Sequence, residues 1–315
     1  HYGPEKTREL LKNLEVIFIT HIHADHHFGL LQILHERDLV LKEEGIEKEP
    51  VFLVVPYNCA AWVTKYSMKI QKLNYRLIFN QHLNIKAEKA FTPKTKQAKL
   101  TQQEEEKATC GHNHPKRKKS GDSEEFEYYE DPDMDKYITS EEKDSLENIV
   151  TFEKSLKEKL GITAFKTVDV KHCPQAFAVF IEHKSGWRYI YSGDTRPYQK
   201  MVDEVGKATI VVHEATFSHD LQETAIAKNH STDREAIEIG MKLGAWRTVL
   251  THFSQRYAKS LNPSGNQGND KRDAFYRYYK DNTVLACDHL RTKFSELENL
   301  PAVTRSLTAM FPEDF

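Results

Sequence analysis

Short apolar runs rich in β-branched residues, each ending abruptly in a polar cluster, recur along this chain. The four clearest are VIFIT at 16–20, YIYS at 189–192, TIVV at 209–212 and TVLT at 248–251. Runs of this length bounded by turn-forming residues predict buried strands. Segments with helical spacing of apolar positions separate several of them, for example DREAIEIGMKL at 233–243. The pattern predicts an α/β chain.

The polar clusters that follow these strands carry groups able to bind a metal. The first run continues into HIHADH, the second into GDT, the third into HEA and the fourth into His252. In α/β folds functional residues collect beyond the ends of the strands. We therefore expect the four clusters to meet in one site at one edge of the sheets.

A charged stretch at residues 86–148, almost without aliphatic side chains, interrupts this pattern. Such composition predicts a solvated, partly disordered insertion. We therefore divide the chain into a core segment at 1–85 with the first metal motif, the insertion at 86–148, and a second core segment at 149–315. Inside the insertion, Cys110, His112 and His114 are weak metal candidates, and the KRKK run at 116–119 is a weak nuclear signal or phosphate contact.

Charge and composition indicate the cellular compartment but do not identify a binding partner. A formal net charge of −2 gives no global positive field, so contact with nucleic acid would need a local patch. The 4 cysteines are too widely spread for a zinc ribbon or a tight disulfide framework, which indicates a reducing, intracellular compartment. No apolar run reaches the roughly 18 residues of a membrane span, and the first residues lack a signal peptide's apolar core, so we expect no membrane partner.

The HIHADH motif predicts ligands for two metal positions. In an extended segment positions i and i+2 point the same way, so His21 and His23 can bind one ion. Asp25 and His26 follow where the chain turns into a helix, and they face a second position. His27 is an extra histidine that we do not expect to be a ligand.

Later strand ends supply the remaining ligands of a binuclear site. One ion is assigned to three histidines and the other to Asp25 and two histidines, with one aspartate bridging: His21, His23 and His172; Asp25, His26 and His252; and Asp194. Nitrogen and oxygen donors without thiolate suit two Zn²⁺ ions, with Mn²⁺ or iron as alternatives. Cys173 adjoins His172, but consecutive strand side chains point to opposite faces, so we do not expect Cys173 to be a ligand.

Two divalent ions about 3.5–4 Å apart lower the pKa of a bridging water and neutralise charge on a substrate oxygen. A hydrolase is therefore the predicted class. The ligands alone leave phosphodiesters, amides, thioesters and lactams open as substrates.

Further motifs give a family resemblance. HCPQA at 172–176, GDTRP at 193–197, HEATF at 213–217, HST at 230–232 and LTHFSQRY at 250–257 accompany the HxHxDH motif. The set resembles the metallo-β-lactamase superfamily, an αββα sandwich with metals at one edge, and within it the tRNase Z family. This resemblance implies an endonuclease that removes the 3′ trailer of precursor tRNA and leaves a 3′-hydroxyl.

The resemblance also implies roles for single residues. Asp25 would bind metal and act as general base on the attacking water. His230, oriented by Glu214, would give a proton to the leaving 3′-oxygen. Arg196 is either a phosphate contact or a salt-bridge partner. The aromatic residues of a partly basic segment read as core or helix surface rather than RNA contacts: Trp62, Tyr66 and Tyr75.

Two departures from the family pattern point upstream. The family's domain begins with several strands before HxHxDH, whereas 20 residues precede His21 here. A glycine-rich and basic arm of the kind that clamps tRNA is also not visible. We therefore expect the active second half of a long-form enzyme, whose upstream half carries the missing strands and the arm. By resemblance the location is the nucleus or the mitochondrion.

Two other readings stay open. A small-molecule hydrolase of the same superfamily, such as a thioesterase or a cyclic nucleotide phosphodiesterase, would use the same ligands but not the HEAT and HST pair. A non-catalytic scaffold that binds tRNA would be expected to have lost ligands, and all seven are present in this chain.

Overall fold

The computed structural model describes residues 2–84, 134–254 and 273–310. Their strands form two sheets. The first sheet has three parallel strands in chain order: β1 (Val16–Phe18), β2 (Val51–Val55) and β3 (Tyr75–Phe79). The second has six, also in chain order: β4 (Ile162–Asp169), β5 (Phe177–His183), β6 (Arg188–Tyr191), β7 (Ile210–Glu214), β8 (Arg247–Thr251) and β9 (Thr283–Leu285).

Strand direction changes within the second sheet. The pairs β4–β5 and β5–β6 are antiparallel, whereas β6 to β9 run parallel to one another. The runs predicted as strands are observed as β1, β6, β7 and β8, with ends shifted by at most two residues. The parallel strands β6, β7 and β8 therefore end at the same edge of the sheet.

Helices connect and cover these strands. Their bounds are α1 (Pro4–Lys12), α2 (Ala24–His27), α3 (Leu30–Glu43), α4 (Tyr57–Lys69), α5 (Met134–Ser155), α6 (Gln199–Val205), α7 (Gln222–Lys228), α8 (Asp233–Lys242), α9 (Ala274–Asn282) and α10 (Leu300–Met310). Short 3₁₀ turns span Asn80–Leu83, His219–Leu221 and Phe294–Glu296, and a π-helical turn spans Leu156–Leu160. Pro4 at the start of α1 suits a position where no backbone N–H is needed.

The two sheets pack face to face. All five residues of β2 are buried. Since side chains of a strand point alternately to its two faces, both faces of β2 are covered. Phe52 and Val54 join a core cluster with Phe165 of β4 and Val179 of β5, which closes the space between the sheets.

Helices cover the outer face of each sheet. Leu34 of α3 and Val63 of α4 pack with Leu53 on the first sheet. Met201 of α6 and Ile239 of α8 belong to the core cluster of the second sheet. The layers are therefore α/β/β/α, as the sequence predicts.

Helix α5 begins inside the segment predicted as the insertion and runs past that segment's predicted end at residue 148. It is docked on the first sheet, because the buried Ser145 Oγ accepts a hydrogen bond from the backbone N–H of Phe79 at 3.0 Å. Phe152 is fully buried between the sheets. The last part of the predicted insertion is thus a packed helix.

The candidates within the rest of the insertion, residues 86–133, lie outside the described residues: Cys110, His112, His114 and the basic run at 116–119. Among the helices that the structure describes, none has the length and apolar character needed to cross a membrane.

Candidate active site

The HIHADH motif follows β1 and turns directly into α2. His23 is the residue that precedes the helix, and its φ of −64° and ψ of 144° are extended. The backbone N–H of His26 donates to the carbonyl of His23 at 3.0 Å, which closes the first helical turn. His21 and His23 therefore precede the turn, while Asp25 and His26 lie on it.

Asp194 reaches the same place through a glycine turn after β6. Gly193 has φ +56°, and a Cβ on it would lie 2.9 Å from Thr20 Cγ2. A side chain at this position would meet both backbone strain and a clash with the first motif's loop. Glycine thus lets the loop carrying Asp194 approach the histidines closely.

The cluster is centred on one carboxylate oxygen. Asp194 Oδ2 lies 3.3 Å from His26 Nε2, 3.6 Å from His252 Nε2, and 3.8 Å from both His21 Nε2 and His172 Nε2. Four imidazoles from three segments of the chain thus converge on Asp194.

Contacts on either side of Asp194 divide the ligands into two sets. On one side His172 Nε2 lies 3.0 Å from His23 Nδ1. On the other, Asp25 Oδ2 lies 3.4 Å from His26 Nε2 and 3.6 Å from His252 Nε2. Two nitrogens bound to one tetrahedral zinc lie about 3.3 Å apart, so these separations are of the expected size.

The structure brings the residues of each predicted set close together. His21, His23 and His172 form one group, and Asp25, His26 and His252 another, with possible ligand atoms in each group within 4.8 Å of one another; overlapping groups also include Asp194, His230 and Glu214. Cys173 also lies in the first group. Burial raises the pKa of its thiol to about 11, which disfavours the thiolate that binds metals.

Polar atoms at the centre fit metal ions. His21 Nε2, His26 Nε2 and Asp194 Oδ1 are buried and have no hydrogen-bond partner among the described residues. Buried polar atoms are nearly always paired, so three orphaned donors and acceptors facing one space need a partner. Five imidazoles and two carboxylates are a donor set that divalent ions such as zinc accept.

The electrostatics also suit a cation. Burial lowers the pKa of His21 to about 2 and lowers the pKa of His172, so both rings stay neutral and keep a lone pair. Burial opposes ionisation of Asp194, but the surrounding imidazoles, with His26 Nε2 at 3.3 Å the nearest, outweigh this and lower its pKa. The centre therefore combines neutral nitrogen donors with an ionised carboxylate.

A second polar pair lies beside the cluster. Strand β7 ends at Glu214, which is 1% exposed, and Glu214 Oε1 accepts hydrogen bonds from His230 Nδ1 at 2.9 Å and from the Thr195 backbone N–H at 2.8 Å. Burial opposes protonation of His230, but the hydrogen bond to Glu214 and nearby carboxylates outweigh it and raise its pKa. His230 Nδ1 lies 3.9 Å from Asp194 Oδ2.

The loop that carries His230 is anchored on both sides. Thr232 begins α8 with a capping box, in which its side chain accepts from the Glu235 N–H and its own N–H donates to Glu235. Arg196 holds Glu235 with two bonds of 2.5 and 2.9 Å and donates to the His230 carbonyl at 2.5 Å. Of the two readings for Arg196, the structure shows the salt-bridge partner.

Known proteins resemble this chain in sequence and in fold. A model of the beta-lactamase superfamily domain matches residues 123–253. The chain is 34% identical to the mitochondrial tRNAse Z TRZ4 of Arabidopsis thaliana over 98% of its own length, and 30% identical to the zinc phosphodiesterase ELAC protein 2 of Rattus norvegicus over 100%. A long-form RNase Z structure from yeast matches 98% of the chain with a TM-score of 0.67 and 24% identity, and the chain covers 36% of it.

The fold of this chain is therefore the αββα sandwich of the beta-lactamase superfamily domain, as predicted. The chain spans about a third of the length of the two named relatives, 31% of the Arabidopsis protein and 30% of the rat protein.

Other candidates from the sequence fall outside the cluster. His27 is buried, its Nδ1 lies 2.9 Å from the His23 carbonyl, and its ring meets Trp62 edge-on at 4.7 Å. Trp62, Tyr66 and Tyr75 pack against the core cluster on the outer face of the first sheet. They lie in the core layer, as the sequence indicated.

The sequence did not predict the hydrogen-bond partners of the histidine Nδ1 atoms. Thr20 Oγ1 lies 2.9 Å from His21 Nδ1, and the Asn229 carbonyl lies 3.0 Å from His172 Nδ1. Thr216 Oγ1 lies 2.8 Å from His252 Nδ1. The only available signal was that each partner adjoins or lies within a motif, as Thr216 does in HEATF.

Proposed function

We propose that this chain is the catalytic half of a zinc-dependent endonuclease that removes the 3′ trailer of precursor tRNA and leaves a 3′-hydroxyl. The observation that carries this proposal is the Glu214–His230 pair beside the cluster centred on Asp194. Such a pair supplies a proton donor next to a candidate metal centre, which an endonuclease with an alkoxide leaving group needs. The name of the Arabidopsis relative, a tRNAse Z, supports the same substrate, and that of the rat relative, a zinc phosphodiesterase, supports the same bond type and metal.

Two Zn²⁺ ions are the proposed cofactors, with Mn²⁺ as an alternative. His21, His23 and His172 would hold one ion, Asp25, His26 and His252 the other, and Asp194 would bridge them. When bound, two such ions lower the pKa of a water molecule and neutralise charge on a phosphoryl oxygen.

Asp25 and His230 divide the proton transfers between them. The Asp25 side chain is 67% exposed, so a water molecule can reach its carboxylate, which accepts the proton as general base. His230 Nδ1 is bound to Glu214, and this leaves Nε2 to give a proton to the leaving 3′-oxygen. Glu214 stabilises the protonated imidazole and fixes its orientation.

We also propose that tight tRNA binding needs an upstream half of the same protein that carries a tRNA-clamping arm. The named relatives are about three times as long as the stretch they share with this chain, which supports this proposal. The name of the Arabidopsis relative supports a mitochondrial location, and the nucleus is a proposal from family resemblance. Equal affinity of this chain and of the longer protein for precursor tRNA would contradict the need for that half.

Cleavage of a precursor tRNA by the purified chain with Zn²⁺ or Mn²⁺ tests the function. We expect one cut just after the acceptor stem, lost in Asp25→Ala and in His230→Ala, with metal content unchanged in His230→Ala. His219→Ala is the matched control, since His219 Nδ1 lies 4.0 Å from Asp233 and the residue is not part of the cluster. Two bound ions without any cleavage, by this chain and by the longer protein alike, would refute the nuclease and favour a small-molecule hydrolase.

A further inference from the structure

Three cluster histidines are hydrogen-bonded on the ring nitrogen that points away from Asp194. The partners are Thr20 Oγ1 for His21, the Asn229 carbonyl for His172, and Thr216 Oγ1 for His252. Such partners fix the tautomer and the orientation of a metal-binding imidazole.

Thr216 differs from Thr20 because its hydroxyl reaches further. Thr216 Oγ1 lies 2.8 Å from His252 Nδ1, 2.6 Å from Glu214 Oε2 and 3.2 Å from His230 Nδ1. Thr20 Oγ1 lies 2.9 Å from His21 Nδ1 of the cluster. One hydroxyl thus joins the two polar groups of the site.

Counting protons gives the direction of these bonds. A hydroxyl has one proton to donate, and an ionised carboxylate can only accept. Thr216 therefore donates to Glu214 Oε2 and accepts from the Nδ1–H of His252. This tautomer leaves a lone pair on His252 Nε2, which lies 3.6 Å from both Asp25 Oδ2 and Asp194 Oδ2.

The same hydroxyl also fixes the Glu214 carboxylate. Oε2 accepts from the Thr216 hydroxyl and from the Thr216 backbone N–H at 3.2 Å, while Oε1 accepts from His230 and the Thr195 backbone N–H. Anchoring Oε2 sets the rotation that aims Oε1 at His230.

We propose that Thr216 is a positioning residue that couples the metal ligand His252 to the proton donor His230 through Glu214. The His230 part of this inference rests on the proposed nuclease function, whereas the His252 part needs only metal binding. Valine has the shape of threonine without the hydroxyl, and serine keeps the hydroxyl without the methyl group. Thr20→Val removes the other hydroxyl and is the matched control.

The first experiment measures Zn²⁺ affinity by competition with a chelator and uses no RNA. Thr216→Val is expected to bind one of its two ions about 10- to 100-fold more weakly, as is usual when the partner of a metal-binding histidine is lost. Thr216→Ser should stay close to wild type. Unchanged affinity in Thr216→Val, or equal loss in the valine and serine variants, would overturn the proposal.

The second experiment compares two precursor tRNAs at saturating Zn²⁺ under single-turnover conditions. One is unmodified, and the other has sulfur in place of the 3′-bridging oxygen at the scissile bond, so that its thiolate leaving group departs without a proton. Thr216→Val should lose more rate on the oxygen substrate than on the sulfur substrate, whereas Thr20→Val should lose equally on both. Equal losses of Thr216→Val on both substrates would overturn the coupling to His230.

The two arms separate this inference from the proposed function. Failure of both the wild-type chain and the longer protein to cleave precursor tRNA, with Zn²⁺ binding still weakened in Thr216→Val, would refute the function and support the link to His252. Far-ultraviolet circular dichroism checks folding, and Thr216→Ala repeats both arms should the valine variant unfold.

Discussion

The two sides of the metal cluster differ in depth. On the buried side (His21, His23 and His172), the side chains of His21 and His172 are 0% and 4% exposed, whereas His23 is exposed. On the open side (Asp25, His26 and His252), the side chains of Asp25 and His252 are 67% and 31% exposed, whereas that of His26 is 11% exposed. Buried neutral imidazoles can hold an ion away from competing water, while exposed ligands let water and substrate approach. We therefore expect the buried side, through His21 and His172, to retain metal, and the open side, through Asp25 and His252, to carry out the chemistry.

The largest expected effect tests this division directly. His21→Ala should lose the buried-side ion and reduce cleavage by about 10⁴-fold, because water activation and charge neutralisation both suffer. His252→Ala should keep one tightly held ion per chain. Metal content after dialysis, measured by atomic absorption, distinguishes the two variants.

His183→Ala is the control for both, since His183 stacks on Trp187 with ring centroids 4.8 Å apart and lies outside the metal-binding groups. Loss of both ions in His252→Ala, with one retained in His21→Ala, would reverse the assignment of the two sides.

The next largest expected effect comes from neutralising Glu214, the carboxylate that is hydrogen-bonded to His230. Glu214→Gln removes the charge that faces His230 Nδ1 but keeps an acceptor oxygen. We expect kcat for precursor tRNA cleavage to fall by about 10²-fold with KM nearly unchanged, since aligning a protonated imidazole acts on the chemical step. Glu182→Gln, at an exposed pair with Arg188, is the control. A change confined to KM would show that Glu214 acts on binding instead.

Local sequence patterns predicted which residues form the cluster but not the hydrogen bonds that orient its histidines. His21 and His23 share a direction because strand side chains alternate, and Asp194 and His252 follow strands that end at one edge. The hydrogen bonds of Thr216 depend instead on how the loops after β7 and β8 pack against the HST loop. The pattern of one sequence segment does not predict such packing.

Helix α5 was missed over residues 134–148 for a related reason. That stretch is highly charged, so its composition resembles a solvated loop. The helix is held by tertiary contacts at Ser145 and Phe152, and such contacts supply most of the stability of helices in proteins.

A smaller effect on stability and cleavage is expected from removing Arg196, which anchors the HST loop. Arg196→Met removes the two bonds to Glu235 and the bond to the His230 carbonyl. Both members of the ion pair are largely shielded, with 16% and 14% side-chain exposure, so we expect a loss of about 1–3 kcal/mol of unfolding free energy. Cleavage should fall about tenfold as the proton donor loses its alignment.

Chemical denaturation and single-turnover cleavage measure the two parts of this prediction. Arg188→Met breaks the more exposed pair with Glu182, at 34% and 39% exposure, and should cost less than about 1 kcal/mol. Equal costs in the two arginine variants would argue against a special role for Arg196.

The last prediction concerns a buried acid without the partners of Asp194. Asp233 is fully buried, its Oδ1 accepts the Arg234 N–H at 2.7 Å, and its Oδ2 has no hydrogen-bond partner among the described residues. Burial raises the pKa of Asp233 to about 6, whereas the imidazoles around Asp194 lower the pKa of that carboxyl. Because the folded chain binds this proton more tightly than the unfolded chain, its stabilising contribution is fully present below the unfolded pKa of about 3.9 and is lost as pH rises through about 6.

Asp233→Asn removes this titration while keeping nearly the same shape. The difference in unfolding free energy between the variant and the wild type should therefore shift by about 2 kcal/mol in favour of the variant from pH 4 to pH 7. Asp203→Asn, at an exposed aspartate that accepts a bond from Gln199, should show no such shift. A flat difference for Asp233→Asn would mean that this carboxylate gains a cationic partner comparable to the histidines of Asp194, so burial depth alone would not separate the two aspartates.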